Sequence, residues 1–516
     1  MKSMKYILLA LSILSIVSCD DFEDINKDPN NPPANMVPPG LKVGAILQEA
    51  TLHAHLHQRV HNLYVDMFSQ YYTGTGFGTY EYQSVDGWSQ DFWNDHYRWF
   101  GNLTSLMLEY QDNDKFVNDV GLIKIWRAFI MHRAVDLFGD LPYFDVLSGE
   151  YDSEEEIYLD MLASLKEAVE NMDEEKSMFN DIIYQGDVVK WKKFGNSLRL
   201  RLAMRVSGVD ATTAKMHAQE AVASGVLEDF SDMPTMPANQ STWGEGYSMT
   251  YYFWWGAGNG VGLTETLYNL GTGIGGMEFL KDHMENPDDL VEFPEFVDPR
   301  LTLCFGSSSS NGEVEAGYSG RWTGIPLGLS SDERQESEYK VANNARINVT
   351  LRGKNGGDNG RYRTIMPIAE VWFLRAEGAL NGWNMGVDTK DAYENGVRAS
   401  FEYWKLDGAD AYLTSSAVNT HGTSANWSDA NGSSLEKIIT QKYIGGYPDN
   451  SWEAWADLRR LELPKMNFGL QFNSNVPAGK IIQRVKYPSV QAQINSENYE
   501  KVRDKDHEGT KHWWAK

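Results

Sequence analysis

The side chains in this chain with the most chemistry to offer are aromatic. Between Tyr71 and Phe100, 11 of 30 residues are Phe, Trp or Tyr, against 12% for the whole chain, and the stretch holds the glycine loop Gly74-Thr75-Gly76-Phe77-Gly78. Between Trp243 and Trp255, 7 of 13 are aromatic, and Gly256, Gly258, Gly260 and Gly262 follow. A sugar ring has an apolar C–H face and a rim of hydroxyls. Flat aromatic rings match the face, and amides or carboxylates match the rim. Aromatic residues beside glycine are often held at a surface rather than packed in a helix. The ligand-contact candidates are therefore Tyr72, Trp243, Tyr252, Trp254 and Trp255, with Trp322 between Gly320 and Gly324. Trp88 with Phe92, and Trp93 with Tyr97, stand at i,i+4 spacing and read as the core face of a helix.

Other patterns carry less. His53, His57 and His61 share one helix face, the spacing at which two histidines can bind a metal. No Cys or carboxylate continues that face, so a partly packed, partly solvated stripe is expected and no metal. Gly271-x-Gly273-x-x-Gly276 fits the dinucleotide fingerprint by count, but no strand signal precedes it. Loops such as Asp449-Asn450 offer the oxygen ligands that Ca²⁺ takes, and no other cofactor is expected. No P-loop, G-x-S-x-G or H-E-x-x-H occurs. A glycosidase needs two carboxylates about 5–10 Å apart. With 72 acidic residues such a pair always exists, so a surface glycoside hydrolase stays open as an alternative. The formal charge of −26 disfavours binding to nucleic acid or anionic lipid.

The N-terminus reads as an address. Lys2 and Lys5 precede an apolar run from Tyr6 to Val17, too short to span a bilayer and suited to a signal peptide. It ends Ile16-Val17-Ser18-Cys19, the bacterial lipobox pattern, so cleavage is expected after residue 18 and lipidation at Cys19. Cys304 is then alone. Residues 19–40, acidic and then rich in Asn and Pro, read as a tether.

From 41 to 516 the chain reads as mostly α-helical, with a length that allows two to four domains or a single large one. Ala45 to Gln70 is predicted helical, because Gly and Pro are absent there. Four helical hairpins follow: Leu122–Leu137 with Ser153–Asn171, Val188–Val206 with Ala211–Ser224, Pro367–Leu380 with Thr389–Trp404, and Ser434–Ile444 with Ser451–Leu461. Ser153 with Glu156 forms a capping box, and Leu159, Leu162, Leu165 and Val169 supply an apolar face. The last hairpin is expected to break at Gly445-Gly446 and Pro448. Repeated pairs of this size predict a tetratricopeptide-like scaffold with few short strands. Residues 225–362 lack the periodicity and read as a large irregular insertion, where binding is expected.

Several blocks then resemble one family. Asp136-Leu137-Phe138-Gly139-Asp140-Leu141-Pro142-Tyr143 is similar to the "D-L-[FY]-G-D-[VL]-P-Y" signature of the SusD/RagB family. Tyr151-Asp152-Ser153, the run Trp191 to Arg205, Asp298-Pro299-Arg300-Leu301, Ala369-Glu370-Val371, Ala376-Glu377, Gln441-Lys442, Glu453-Ala454-Trp455, Arg459-Arg460, Tyr487-Pro488 and Trp513-Trp514 follow in family order. The resemblance implies one domain over 41–516 and a non-enzymatic lipoprotein on the outer face of the outer membrane. Its partner would be a SusC-like TonB-dependent transporter and its ligand an oligosaccharide, or a peptide as in RagB-like members. The acidic run after Cys19 resembles the surface-export signal of such lipoproteins. The family's ligand residues do not carry over, because those loops vary. The motif residues themselves read as structural: Arg199, Arg201 and Arg205 pairing with carboxylates, and Glu370 and Glu377 accepting hydrogen bonds inside the fold.

Overall fold

The computed structural model describes residues 39–52, 56–73, 84–236, 262–284, 286–308, 314–330, 332–348, 363–467, 475–477 and 479–515. Within them the protein is mostly α-helical, with four strands of two residues each. The main helices are α1 (Pro39–Leu52), the π-helical α2 (His57–Val65), α3 (Asp86–Tyr110), α4 (Val117–Phe138), α5 (Glu154–Asn171), α6 (Val188–Val206), α7 (Ala211–Ser224), α8 (Ile368–Leu380), α9 (Thr389–Tyr403), α10 (Ser434–Gly446) and α11 (Ser451–Leu461).

Local sequence sets most of these boundaries. Short polar side chains at the N-caps accept orphan backbone N–H groups. Asp187 accepts from Lys190 N, Asp210 from Thr213 N, and Asp388 from Asp391 N. The capping box at Ser153 forms as expected: Glu156 N donates to Ser153 Oγ at 3.3 Å, and Ser153 N to Glu156 Oε2 at 3.2 Å. A second box, at Ser433 and Glu436, starts α10.

Each helix packs on its sequence neighbour, α3 on α4, α4 on α5, α5 on α6 and α6 on α7. Beyond the insertion, α8 packs on α9 and both meet α10, while α8 also reaches α6 and joins the two halves. The expected hairpins are therefore present. Helix α6 lies at the centre: Trp191, Phe194, Leu198 and Leu202 have no exposed surface, and even Arg199, Arg201 and Arg205 are buried. On α5, Leu162, Leu165 and Val169 are buried and Leu159 sits half-buried at the edge.

Three boundaries differ from the sequence expectation. The first helix starts at Pro39, where a proline lacking its N–H fits the first turn. The segment after residue 56 is π-helical to Val65 and stops at Gln70, whose φ is 62°. Helix α10 runs through Gly445 and Gly446 instead of breaking there. A Cβ on Gly445 would lie 3.0 Å from Ser400 Oγ, and one on Gly446 3.1 Å from the Tyr71 hydroxyl. The two glycines therefore let the helix approach α9 and Tyr71 closely, and chain reversal waits for Pro448. Helix α3 is longer than the Trp88–Tyr97 stretch suggested. Phe92 and Trp93 are buried, and Trp88 and Tyr97 are half-buried against the same core.

Candidate ligand-binding site

The irregular region has a hydrophobic core of its own. Leu263, Leu267, Phe279, Val297, Leu301, Phe305 and Ile347 pack with Tyr71, Tyr72, Tyr443 and Tyr447, which belong to the helical scaffold. The tyrosines lock the two parts together. Tyr71 Oη donates to Tyr443 O and Tyr443 Oη to Ser69 O, each at 2.7 Å, and the Tyr447 ring lies 5.2 Å from Tyr71 and 5.3 Å from Phe305. Burial holds the phenols of Tyr71 and Tyr447 well above the usual range, so they remain neutral.

On this core the backbone brings remote segments together. Gly262 N donates to Thr73 O at 3.0 Å, Leu263 N to Ala345 O at 2.9 Å, and Asn348 N to Cys304 O at 2.8 Å. Phe305–Gly306 pairs antiparallel with Arg346–Ile347, and Thr235–Met236 with Arg363–Thr364. Thr73 stands just before the glycine loop of the first aromatic-rich stretch and Gly262 follows the second, so the fold pairs these two chain positions.

The candidate residues separate sharply. Trp243, Tyr252, Trp254 and Trp255 lie outside the described residues, as does Cys19. Trp322 is a correction. It has no exposed surface, its Nε1 donates to Phe305 O at 2.9 Å, and its ring packs edge-on against Phe279 at 5.3 Å. The flanking glycines signal tight packing rather than display: a Cβ on Gly324 would meet Thr264 O at 2.6 Å. Tyr72 is a second correction, 2% exposed and packed against Tyr447 at 5.6 Å. Both side chains are occupied by the core beneath the site and have no face to offer a ligand.

The other sequence patterns also resolve. His61 is buried. Its Nδ1 accepts from Trp452 Nε1 at 2.9 Å, and its Nε2 lies 3.4 Å from Asp66 Oδ1 and 3.0 Å from the Arg363 guanidinium. His53 and the side chain of His57 lie outside the described residues, and among those residues no group of three or more His, Cys, Asp or Glu is placed to hold a metal ion. Asn450 donates to Glu370 Oε2 at 3.0 Å, and Asp449 accepts from Thr364 N at 3.3 Å. Gly271-x-Gly273-x-x-Gly276 starts at the end of a helix, not after a strand, and serves packing: a Cβ on Gly271 would run into the Leu301 side chain, one on Gly273 into Val418 O, and one on Gly276 would lie 2.8 Å from Ser415 Oγ.

The family-motif residues form buried ion pairs, most of them between helices of the body and one, Asp298 with Arg300, inside the insertion. Arg201 grips Glu370 through two bonds of 2.7 Å. Arg205 bonds both Asp136 and Glu453, and Tyr158 donates to Asp136. Arg460 bridges Glu377 and Asp457, and Lys442 also reaches Asp457 at 2.9 Å. Arg300 holds Asp298, Gln441 and Ser400. Arg201 and Arg205 keep the Glu453 carboxyl well below the usual range despite its burial.

A small cavity between α1, α2, α3, α4 and α11 escaped sequence reasoning. Its walls are Leu56, Val60, Phe92, Trp99, Ile130 and Trp452, and its polar lining includes His61, His96, Arg133 and Arg363. At about 50 Å³ it is far below the several hundred Å³ of a site that encloses a whole ligand. No motif or spacing marks Arg133 or His96 in the sequence.

A family profile described as starch-binding and associating with the outer membrane matches residues 40–259, and one for SusD and RagB outer-membrane lipoproteins matches residues 293–515. A SusD homolog from Parabacteroides distasonis has the same fold with a TM-score of 0.85, at 29% identity over 93% of this chain and 98% of its own. A SusD homolog from Bacteroides vulgatus scores 0.71 at 26% identity, over 89% of this chain and 92% of its own. A chitin-binding SusD homolog from Flavobacterium johnsoniae scores 0.72 at 25% identity, over 92% and 98%. No curated protein matches the sequence. The chain belongs to the SusD/RagB family of outer-membrane proteins, and its class is that of nutrient-binding proteins.

Proposed function

We propose that the protein is a non-enzymatic capture protein, lipid-anchored at Cys19 on the cell surface, that binds nutrient oligosaccharides and delivers them to a SusC-like TonB-dependent transporter. The observation that carries this reading is the junction of Thr73 with Gly262, which fixes on one core the chain position before the Gly74–Gly78 loop and the one that follows the Trp243–Trp255 stretch. Aromatic rings suit the faces of successive sugars, and Trp243, Tyr252, Trp254 and Trp255 are the proposed stacking residues. The chitin-binding relative supports a glycan as ligand. The four hairpins, which we read as tetratricopeptide-like, supply the rigid support. The test is a calorimetric titration of the purified full chain with a panel of oligosaccharides, chito-oligosaccharides first, and of peptides. The mixtures are then analysed for cleavage. Saturable glycan binding without products is expected. Binding of peptides alone would move the ligand to the RagB-like class, and cleavage would overturn the non-enzymatic reading.

A further inference from the structure

Arg133 lines the small cavity between α1, α2, α3, α4 and α11 without a carboxylate partner among the described residues. Among the buried motif arginines, Arg201, Arg205, Arg300 and Arg460 hold carboxylates, and Arg459 donates to the backbone carbonyls of Asp136 and Gln483. Arg133 instead lays its guanidinium over the Phe129 ring at 4.3 Å and the Trp452 ring at 5.5 Å. Its buried Nε has no acceptor. The nearby Glu370 and Glu453 are taken by Arg201 and Arg205. Burial, with Arg363 and Arg201 nearby, depresses its pKa to about 9.

His96, on the wall of the same cavity, is 2% exposed and stacked between Phe92 at 6.0 Å and Phe100 at 5.9 Å. Neither of its ring nitrogens has a hydrogen-bond partner. A buried polar group without a partner is costly, and two beside one cavity point to something that enters it. Arg363 contributes a second guanidinium, resting on His61 at 3.0 Å. The acidic group on the rim, Glu49, is already held by Trp99 Nε1 at 2.8 Å and Arg98 at 2.7 Å. The space of about 50 Å³ fits a compact group, since one water occupies about 30 Å³.

We propose that this cavity is a binding site for a carboxylate group, held by Arg133 with Arg363 beside it and His96 as a neutral donor. The aromatic and aliphatic walls then take the carbon attached to it. The inference does not rest on the glycan reading, because a carboxylate can bind here whatever the aromatic stretches bind.

The test uses the full chain and thermal unfolding at matched ionic strength. Acetate should raise the unfolding temperature above that in chloride, and acetamide, of the same shape without the charge, should not. In Arg133→Met, which preserves the contacts with Phe129 and Trp452, affinity for acetate should fall about tenfold or more. Glucuronate, with glucose as its control, identifies the source. A shift with glucuronate means the site admits a carboxylate carried on a sugar, and a shift with acetate alone means it takes a free small acid. Equal effects of acetate, acetamide and chloride would overturn the proposal without any variant. So would an acetate response that survives unchanged in Arg133→Met.

Discussion

Arg201 and Glu370 meet where neither is in contact with water, and that burial dictates what a substitution does. Two charges taken out of water are stabilised chiefly by each other, so removing one leaves the other uncompensated. Glu370→Ala should cost about 3–5 kcal/mol in chemical denaturation, while leaving the far-UV spectrum of the folded state helical. Trp322→Ala should cost a similar amount, about 3–5 kcal/mol, because it empties a core position. Two buried groups give opposite pH signatures. Burial raises the Asp66 pKa to about 7, so the folded state holds the proton more tightly than the unfolded chain. Its contribution to stability is complete below about pH 4 and is lost as pH rises through 7. Asp66→Asn should therefore gain on the wild type as pH rises from 4 to 7. Burial depresses the His96 pKa to about 3, so its contribution is complete above about 6.5 and is lost as pH falls toward 3. His96→Phe should gain on the wild type over that acid range. Unfolding temperatures of the two single variants between pH 4 and 8 separate the slopes.

At the scale of elements, caps and close approaches do the work. Ser153→Ala removes the capping box that starts α5 and should cost about 1 kcal/mol in denaturant titration. Gly275→Ala forces a left-handed φ and a clash with Tyr412, and should cost about 3 kcal/mol. Gly382→Ala, at φ +76° in open space, should cost only about 1 kcal/mol. The helices were legible because their signals are local: α6, α7 and α11 have the boundaries that caps, periodicity and terminating glycines indicate. Gly445 and Gly446 misled because a glycine that admits a neighbour looks in sequence like one that ends a helix. Trp322 and Tyr72 misled for a related reason. Aromatics beside glycine are displayed in one setting and tightly packed in another, and what decides is the second core, built from residues as far apart as Tyr71 and Tyr447. The Arg133 cavity could not be read at all, since side chains from five helices, from Glu49 to Trp452, enclose it.

At the scale of the whole molecule, the helical body anchors a separately cored region. Most motif residues lie in the body and the proposed ligand chemistry in the insertion, which is why family membership was legible and ligand identity was not. If Cys19 carries the lipid, Cys19→Ser should release the protein from the membrane fraction, as cell fractionation would show. Among the described residues no helix is long and apolar enough to cross a membrane. The central claim is tested most directly by calorimetry of the wild type and of the Trp254→Ala/Trp255→Ala double variant with the same oligosaccharide panel, with circular dichroism as the control. The account predicts saturable binding by the wild type, clearly weakened in the variant with its helical signal intact, and no cleavage product from either. Glycan binding unaffected by the double substitution, or a wild type that binds no glycan or cleaves one, would contradict it.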